Sequence, residues 1–274
     1  MSHPVMFLLG IPLLFSVPVM QHKTGTPPGF VLAAPHDGYD MYTGDMARRV
    51  SHKLGWATVI AKDYRDSKDK RWLDVNRPTQ RIWSGTKKGK ERTTSQGRSI
   101  FNEYLRRLRA AAQVSEGPIP LLIEFHGHNR RISIGTERVR LDVIECATRG
   151  FSADELKVLH ARYERLAAAR WPVGPHIQLR FDTIHERYVY RGKQVSFYYK
   201  ASGSKAAGSL QASVSKRVLH FELPQNARST RTQRSAFGQL FSDLLAPLAE
   251  PAPSAASGAS GGATGALENP PGSD

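Results

Sequence analysis

The chain has 274 residues, 40% hydrophobic and 23% charged, as in a soluble globular protein with a real core and room for one large domain or two small ones. Thirty-nine Lys and Arg against 24 Asp and Glu give a net charge of +15, a surface that attracts anions: nucleic acid, an anionic wall polymer, acidic lipid or an acidic small molecule. Cys146 is the only cysteine, which excludes an internal disulfide and a thiolate zinc site, so a bound metal would need His, Asp and Glu.

No recognised nucleic-acid motif accompanies the charge, and the basic residues are scattered rather than striped with aromatics, so no specific nucleic-acid partner is indicated. Val5 to Met20, VMFLLGIPLLFSVPVM, has the length and apolar character of a signal-peptide core. It lacks a basic stretch before it and a small-x-small cleavage site, and Pro12 and Pro18 interrupt it. It reads as an export signal or crude anchor, or as a packed N-terminal strand, and it is too short and broken for a stable membrane span. The compartment follows that choice: periplasmic or secreted with a signal, cytoplasmic without one. The breaker cluster Lys23 to Gly29 sets this leader, residues 1–28, apart from the domain.

Phe30–Ala34 reads as a strand and Thr43–Leu54 as a helix, with Met46, Val50 and Leu54 on one face and Gly55 at its end. Residues 57–62, ATVIAK, follow as a second strand. Ser95–Gln113 is a long helix carrying Ile100, Tyr104, Leu105 and Leu108, and Ile119–Phe125 a nearly all-apolar strand of the parallel-sheet kind. Ser152 opens a further helix through a capping box with Glu155, and Leu156, Leu159, Tyr163 and Leu166 keep helical spacing. Residues 176–181, 187–192 and 195–200 read as strands, Arg217–Leu223 as the last core strand and Thr232–Leu245 as a closing helix. From Glu250 the chain is mostly Ala, Gly, Ser and Pro, which predicts a disordered tail over 249–274. Residues 29–248 are therefore expected to form a single α/β domain, with a mixed, mostly parallel central sheet and helices on both faces.

In open α/β sheets, sites gather beyond the carboxyl ends of the strands. There the sequence places His36, Asp37 and Asp40 after the first strand, and His126, Gly127 and His128 after PLLIEF. Glu222 lies near the end of the last core strand, and Asn76 and Arg77 sit in the segment RWLDVNRP. Read singly, His36 could cap a turn, His128 could be a plain turn residue and Arg77 a surface residue before a proline. Glu222 is harder to read that way, because a carboxylate in an apolar strand is costly without a partner. Two histidines and a carboxylate make a recurrent catalytic zinc set, which leaves a fourth position for water or substrate.

The order PHDG, DVNRP, IEFHGH, HFELP is similar to that of N-formylglutamate amidohydrolases, and through them to the wider zinc carboxypeptidase superfamily, which includes poly-γ-glutamate hydrolases. The resemblance runs from about Phe30 to Arg228 and implies a zinc carboxypeptidase (phosphorylase/hydrolase-like) fold. It implies that His36 is the first metal ligand and His126 the last. Glu222 would activate the attacking water and then protonate the leaving amine, and Asn76 and Arg77 would grip a substrate carboxylate. Carboxypeptidases carry a glutamate three residues after the first histidine, where this chain has Tyr39. The formylglutamate type uses an aspartate near the start of the next helix, which points to Asp40, with Asp45 as the alternative and Asp37 as a residue that orients a ligand. Arg71 is the nearest counterpart of the arginine that stabilises the oxyanion, and His128 either supports a metal ligand from behind or contacts the substrate. The aspartate that follows His36, where serine or alanine is frequent, departs from the pattern.

The expectation is a Zn2+-dependent amidohydrolase acting on a small acidic N-acyl amino acid or a γ-glutamyl or wall-type peptide. Two rival readings are a non-catalytic binder of anionic ligands on the same fold and a basic nucleic-acid binder. The second of these predicts steep salt dependence and no need for metal.

Overall fold

The structure is a computed structural model, and it describes residues 17–173, 176–201 and 205–249. The chain opens with β1 (Val19–Lys23), β2 (Phe30–Asp37), α1 (Thr43–Leu54) and β3 (Ala57–Lys62). A four-stranded antiparallel meander follows, β4 (Arg65–Asp66), β5 (Arg71–Asp74), β6 (Thr79–Ser84) and β7 (Lys87–Thr93). Next come α2 (Ser95–Ala112), β8 (Ile119–Gly127), the hairpin β9 (Arg131–Ile134) and β10 (Glu137–Arg140), then β11 (Val143–Arg149) and α3 (Ala153–Arg170). The chain continues through β12 (Gln178–Phe181), a second hairpin of β13 (Arg187–Tyr190) and β14 (Lys193–Ser196), β15 (Ser215–Leu223) and α4 (Arg231–Leu245).

Seven strands form the central sheet in the order β1-β3-β2-β8-β15-β11-β12. It is mixed and mostly parallel as expected: β3, β2, β8 and β15 run together, while β1 and the β11–β12 pair run against them. Alternation along each strand sends successive side chains to opposite faces. Leu32, Ile123, Phe125, Leu219 and Phe221 pack on α1, α3 and α4; Val31, Ala33, Leu122 and Val218 pack on α2 through Tyr104 and Leu108. Both faces are therefore covered, which is why β2, β8 and β15 read as apolar runs.

Local signals held where they had a physical cause. Gly55 ends α1 with φ 74°, and Ser152 and Glu155 form the reciprocal capping box at the start of α3. The departures have causes too. Val19–Lys23, inside the expected leader, pairs with β3 along one edge of the sheet, with Met20 buried, so the sheet begins ahead of residue 29. The meander was not anticipated because β7, KKGKERT, contains no apolar residue to show a period of two. β11 went unread because Glu145 interrupts its apolar run. The strand expected over 195–200 stops at Ser196, since the backbone N–H groups of Tyr198 and Tyr199 donate to the buried Glu145 carboxylate instead of to a strand. The rest of the leader, residues 1–16, and the tail from Glu250 lie outside the described residues. No described helix is long and apolar enough to cross a membrane.

Candidate metal centre

Because β2, β8 and β15 are parallel, their carboxyl ends meet at one rim of the sheet. His36 stands near the end of β2, where the register with β3 shifts, and His126 near the end of β8, in register with Glu222 of β15. After β2 the chain folds back on itself: the Asp40 N–H donates to the His36 carbonyl at 2.8 Å, with Gly38 at φ 92°. Thr43 Oγ1 then donates to the Asp40 carbonyl at 2.9 Å. This turn brings the Asp40 carboxylate over the two imidazoles.

His36 Nδ1 and His126 Nδ1 lie 3.0 Å apart, and each lies 3.5 Å from Asp40 Oδ2. A tetrahedral ion with bonds of about 2.0–2.2 Å needs ligand atoms about 3.3–3.6 Å apart, close to this triangle. All three residues are buried, and together they form a set of donors able to hold a metal ion.

Each ring is backed by a carboxylate. His36 Nε2 lies 2.8 Å from Asp74 Oδ1, and His126 Nε2 lies 3.5 Å from Glu124 Oε2. Asp74 is fully buried and is held in turn by Arg65 Nη2 at 2.7 Å and by Arg77. Such partners fix the tautomer of a ligating histidine and raise its basicity. With Nε2 of each ring turned towards a carboxylate, the two Nδ1 atoms face each other at 3.0 Å, where they share either a proton or a metal ion. The charges agree. Burial lowers the pKa of His126, but the Asp40 and Glu124 carboxylates outweigh it and push the ring up to about 9. Burial would raise the Asp40 carboxyl, yet hydrogen bonding to His126 and His36 holds it well below the usual carboxylate range. The residues present thus fit a divalent metal.

Glu124, His126 and His220 form a second group with metal-like spacing. Here the acceptor is already saturated. Glu124 accepts from Tyr104 Oη at 2.8 Å, Ser209 Oγ and His220 Nδ1 at 2.9 Å, and Asn76 Nδ2 at 3.1 Å. A carboxylate offers about four lone-pair sites, so this cluster acts as a support for His126.

Glu222 is buried on the same rim, with Oε1 3.1 Å from Lys205 Nζ and 3.3 Å from His220 Nε2. Burial opposes its ionisation, but the Lys205 ammonium and the His220 hydrogen bond hold its carboxyl well below the usual range. A cavity of about 700 Å³ opens over these groups and exposes His36, Asp40, His126 and Glu222 together.

Asn76, Arg77 and His128 also line this cavity. Arg77 is ion-paired to Asp74 and lies 3.4 Å from Glu91. His128 uses both nitrogens on backbone, with Nε2 2.9 Å from the Val143 carbonyl and Nδ1 accepting from the Arg130 N–H. Arg71 is not among the lining residues: its Nε donates to the Asp63 carbonyl at 3.0 Å, and Asp69 lies beside it. The arginine that enters from this part of the meander is Arg65. Asp45 is taken by Arg49 and Arg234, and Asp37 accepts from the Gly44 N–H at the start of α1, so neither replaces Asp40. Sequence reasoning missed Asp74, Glu124, His220 and Lys205. The first three carried a signal: Asp74 opens DVNRP, and Glu124/His126 and His220/Glu222 repeat at the strand period of two on one face.

No protein-family model matches the chain, and no curated protein matches it. Solved structures that resemble it in outline include a gene product of Agrobacterium tumefaciens (12% identity, 82% of this chain and 92% of that one, TM-score 0.45). A bacteriophage poly-γ-glutamate hydrolase gives 11%, 84% and 88%, with TM-score 0.38. A succinylglutamate desuccinylase from Vibrio parahaemolyticus gives 12%, 86% and 69%, with TM-score 0.42. At these identities and scores none of them decides what this chain does.

Proposed function

We propose that the chain is a metal-dependent amidohydrolase, with zinc as the ion, acting on a small acidic N-acyl amino acid or a γ-glutamyl or wall-type peptide in the manner of N-formylglutamate amidohydrolases. One observation carries the reading: His36, Asp40 and His126 converge at 3.0–3.5 Å with a buried carboxylate behind each imidazole. A zinc ion there would polarise the amide carbonyl and lower the pKa of a water towards about 7.

The chain's own groups do the rest. Glu222, kept ionised by Lys205 and His220, takes a proton from the attacking water and returns it to the amide nitrogen as the C–N bond breaks. A carboxylate and an amine are the products. Arg65, on the cavity wall and anchored by Asp74, takes the oxyanion-facing role expected of Arg71. Asn76 and Arg77 line the same wall and help to position the substrate.

The test is a screen of zinc-loaded protein against N-acyl and γ-linked acidic amides, following release of free amine, in parallel with Glu222→Gln. Release by the wild type and its loss in the variant, with zinc retained, is expected. Binding of these amides without any release would favour the non-catalytic ligand-binding reading.

A further inference from the structure

We propose that Arg228 is the anchor for a carboxylate group of the ligand in this cavity. The inference rests on the reading of the cavity as a substrate site, and it assigns the recognition of the anionic group to a residue outside the DVNRP segment.

Six cations line the cavity: Arg65, Arg77, Arg81, Lys200, Lys205 and Arg228. Five are already paired with a carboxylate of the protein, Arg65 and Arg77 sharing one. Arg65 and Arg77 pair with Asp74, Arg81 with Glu91, Lys200 with Glu186 and Lys205 with Glu222. Arg228 has no carboxylate within ion-pair distance among the described residues, although it is only 7% exposed. Its fork is aimed by backbone alone: Nη1 donates to the Met41 carbonyl at 2.6 Å and Nε to the Leu223 carbonyl at 3.3 Å. Nη2 has no hydrogen-bond partner among the described residues. A buried guanidinium with no carboxylate at ion-pair distance is costly and gains from an incoming anion. Burial accordingly lowers the pKa of Arg228, with Asp40 and Glu222 only partly offsetting it.

The glycine between the two histidines of HGH fits the same account. A Cβ on Gly127 would lie 2.4–2.6 Å from Cζ, Nη2 and Nε of Arg228. Gly127 is thus the position over which the guanidinium lies, one residue from the ligand His126. Arginine suits a carboxylate because its planar fork can give two parallel hydrogen bonds. The Asn76 amide and the Arg77 guanidinium are already engaged, with Glu124 and Asp74 respectively.

Calorimetric titration of the full-length protein with glutarate, with and without zinc, tests this. Arg228→Gln should weaken glutarate binding by about tenfold to a hundredfold, the loss of charge-assisted hydrogen bonds. Arg228→Lys, which keeps the charge and loses the fork, should fall between. Gly127→Ala, which displaces the guanidinium without removing it, should weaken binding as well while leaving zinc content unchanged; it decides the matter if Arg228→Gln does not fold. A folded Arg228→Gln or Gly127→Ala that binds glutarate like the wild type overturns the proposal, as does a wild type that binds none. Glutarate held through Arg228 by a protein that hydrolyses no amide sinks the hydrolase reading and leaves the anchor standing. Hydrolysis with glutarate binding indifferent to Arg228 does the reverse.

Discussion

His36 and His126 meet nitrogen to nitrogen, Nδ1 to Nδ1 at 3.0 Å, while Asp74 stands behind one ring and Glu124 behind the other. The two carboxylates are the deepest members of the site, fully buried, and each is fastened by further groups. Replacing them by amides should therefore loosen the metal without abolishing the site. Asp74→Asn and Glu124→Gln should each weaken zinc affinity by about 10–100-fold. Competition with a chromophoric chelator measures this, and unchanged affinity in both would remove their assigned role.

Glu222→Gln separates proton transfer from metal holding. The variant should keep its zinc and lose about 10²–10⁴-fold in kcat, the usual worth of a general acid–base. A variant that turns over at the wild-type rate would take Glu222 out of the reaction.

Without metal, the triad should respond to pH through His126. Its folded-state pKa, about 9, lies above the ordinary 6.5. The stabilisation is then full below pH 6.5 and is lost as pH rises through about 9. Chelated protein should show a Tm that falls by several degrees over that window. Zinc-loaded protein should not, because the metal takes the place of the proton at Nδ1. A flat Tm for the chelated protein would contradict the sign.

Glu145 offers a test of the opposite wall. Its carboxylate accepts from Tyr188 Oη at 2.5 Å and from Arg130 Nη1 at 2.6 Å, and it pins the backbone of Tyr198 and Tyr199 beside the cavity. Glu145→Ala should cost about 1–3 kcal/mol in urea denaturation, because buried donors lose their acceptor. It should also raise KM more than it lowers kcat, since Glu145 does not line the cavity but holds Tyr198 and Tyr199, which do.

Apolar periodicity made most of the core legible: α1 keeps its expected bounds, and α3 starts at the capping box. His36, Asp40, His126 and Glu222 could be read because each is a polar group at the end of an apolar strand, where a turn alone does not call for it. Glu124 carried only its period-two spacing from His126, and inside IPLLIEF its partners stay hidden until His220 and Ser209 arrive from β15 and the loop before it. That Arg65 rather than the expected Arg71 faces the cavity depends on a register that the sequence does not print. β4 pairs Arg65 with Trp72 and Asp66 with Arg71, so alternation sends Arg65 and Trp72 to the cavity and Arg71 away from it. Lys205 and Arg228 approach from segments with no periodic pattern, and only the folded chain shows which cations are already paired.

The most direct measurement is the zinc content of purified full-length protein after dialysis against the metal and removal of excess. Wild type should retain about one ion per chain, and His36→Ala and His126→Ala should retain none. A wild type that comes through without bound metal, or histidine variants that keep as much as it does, would contradict the account.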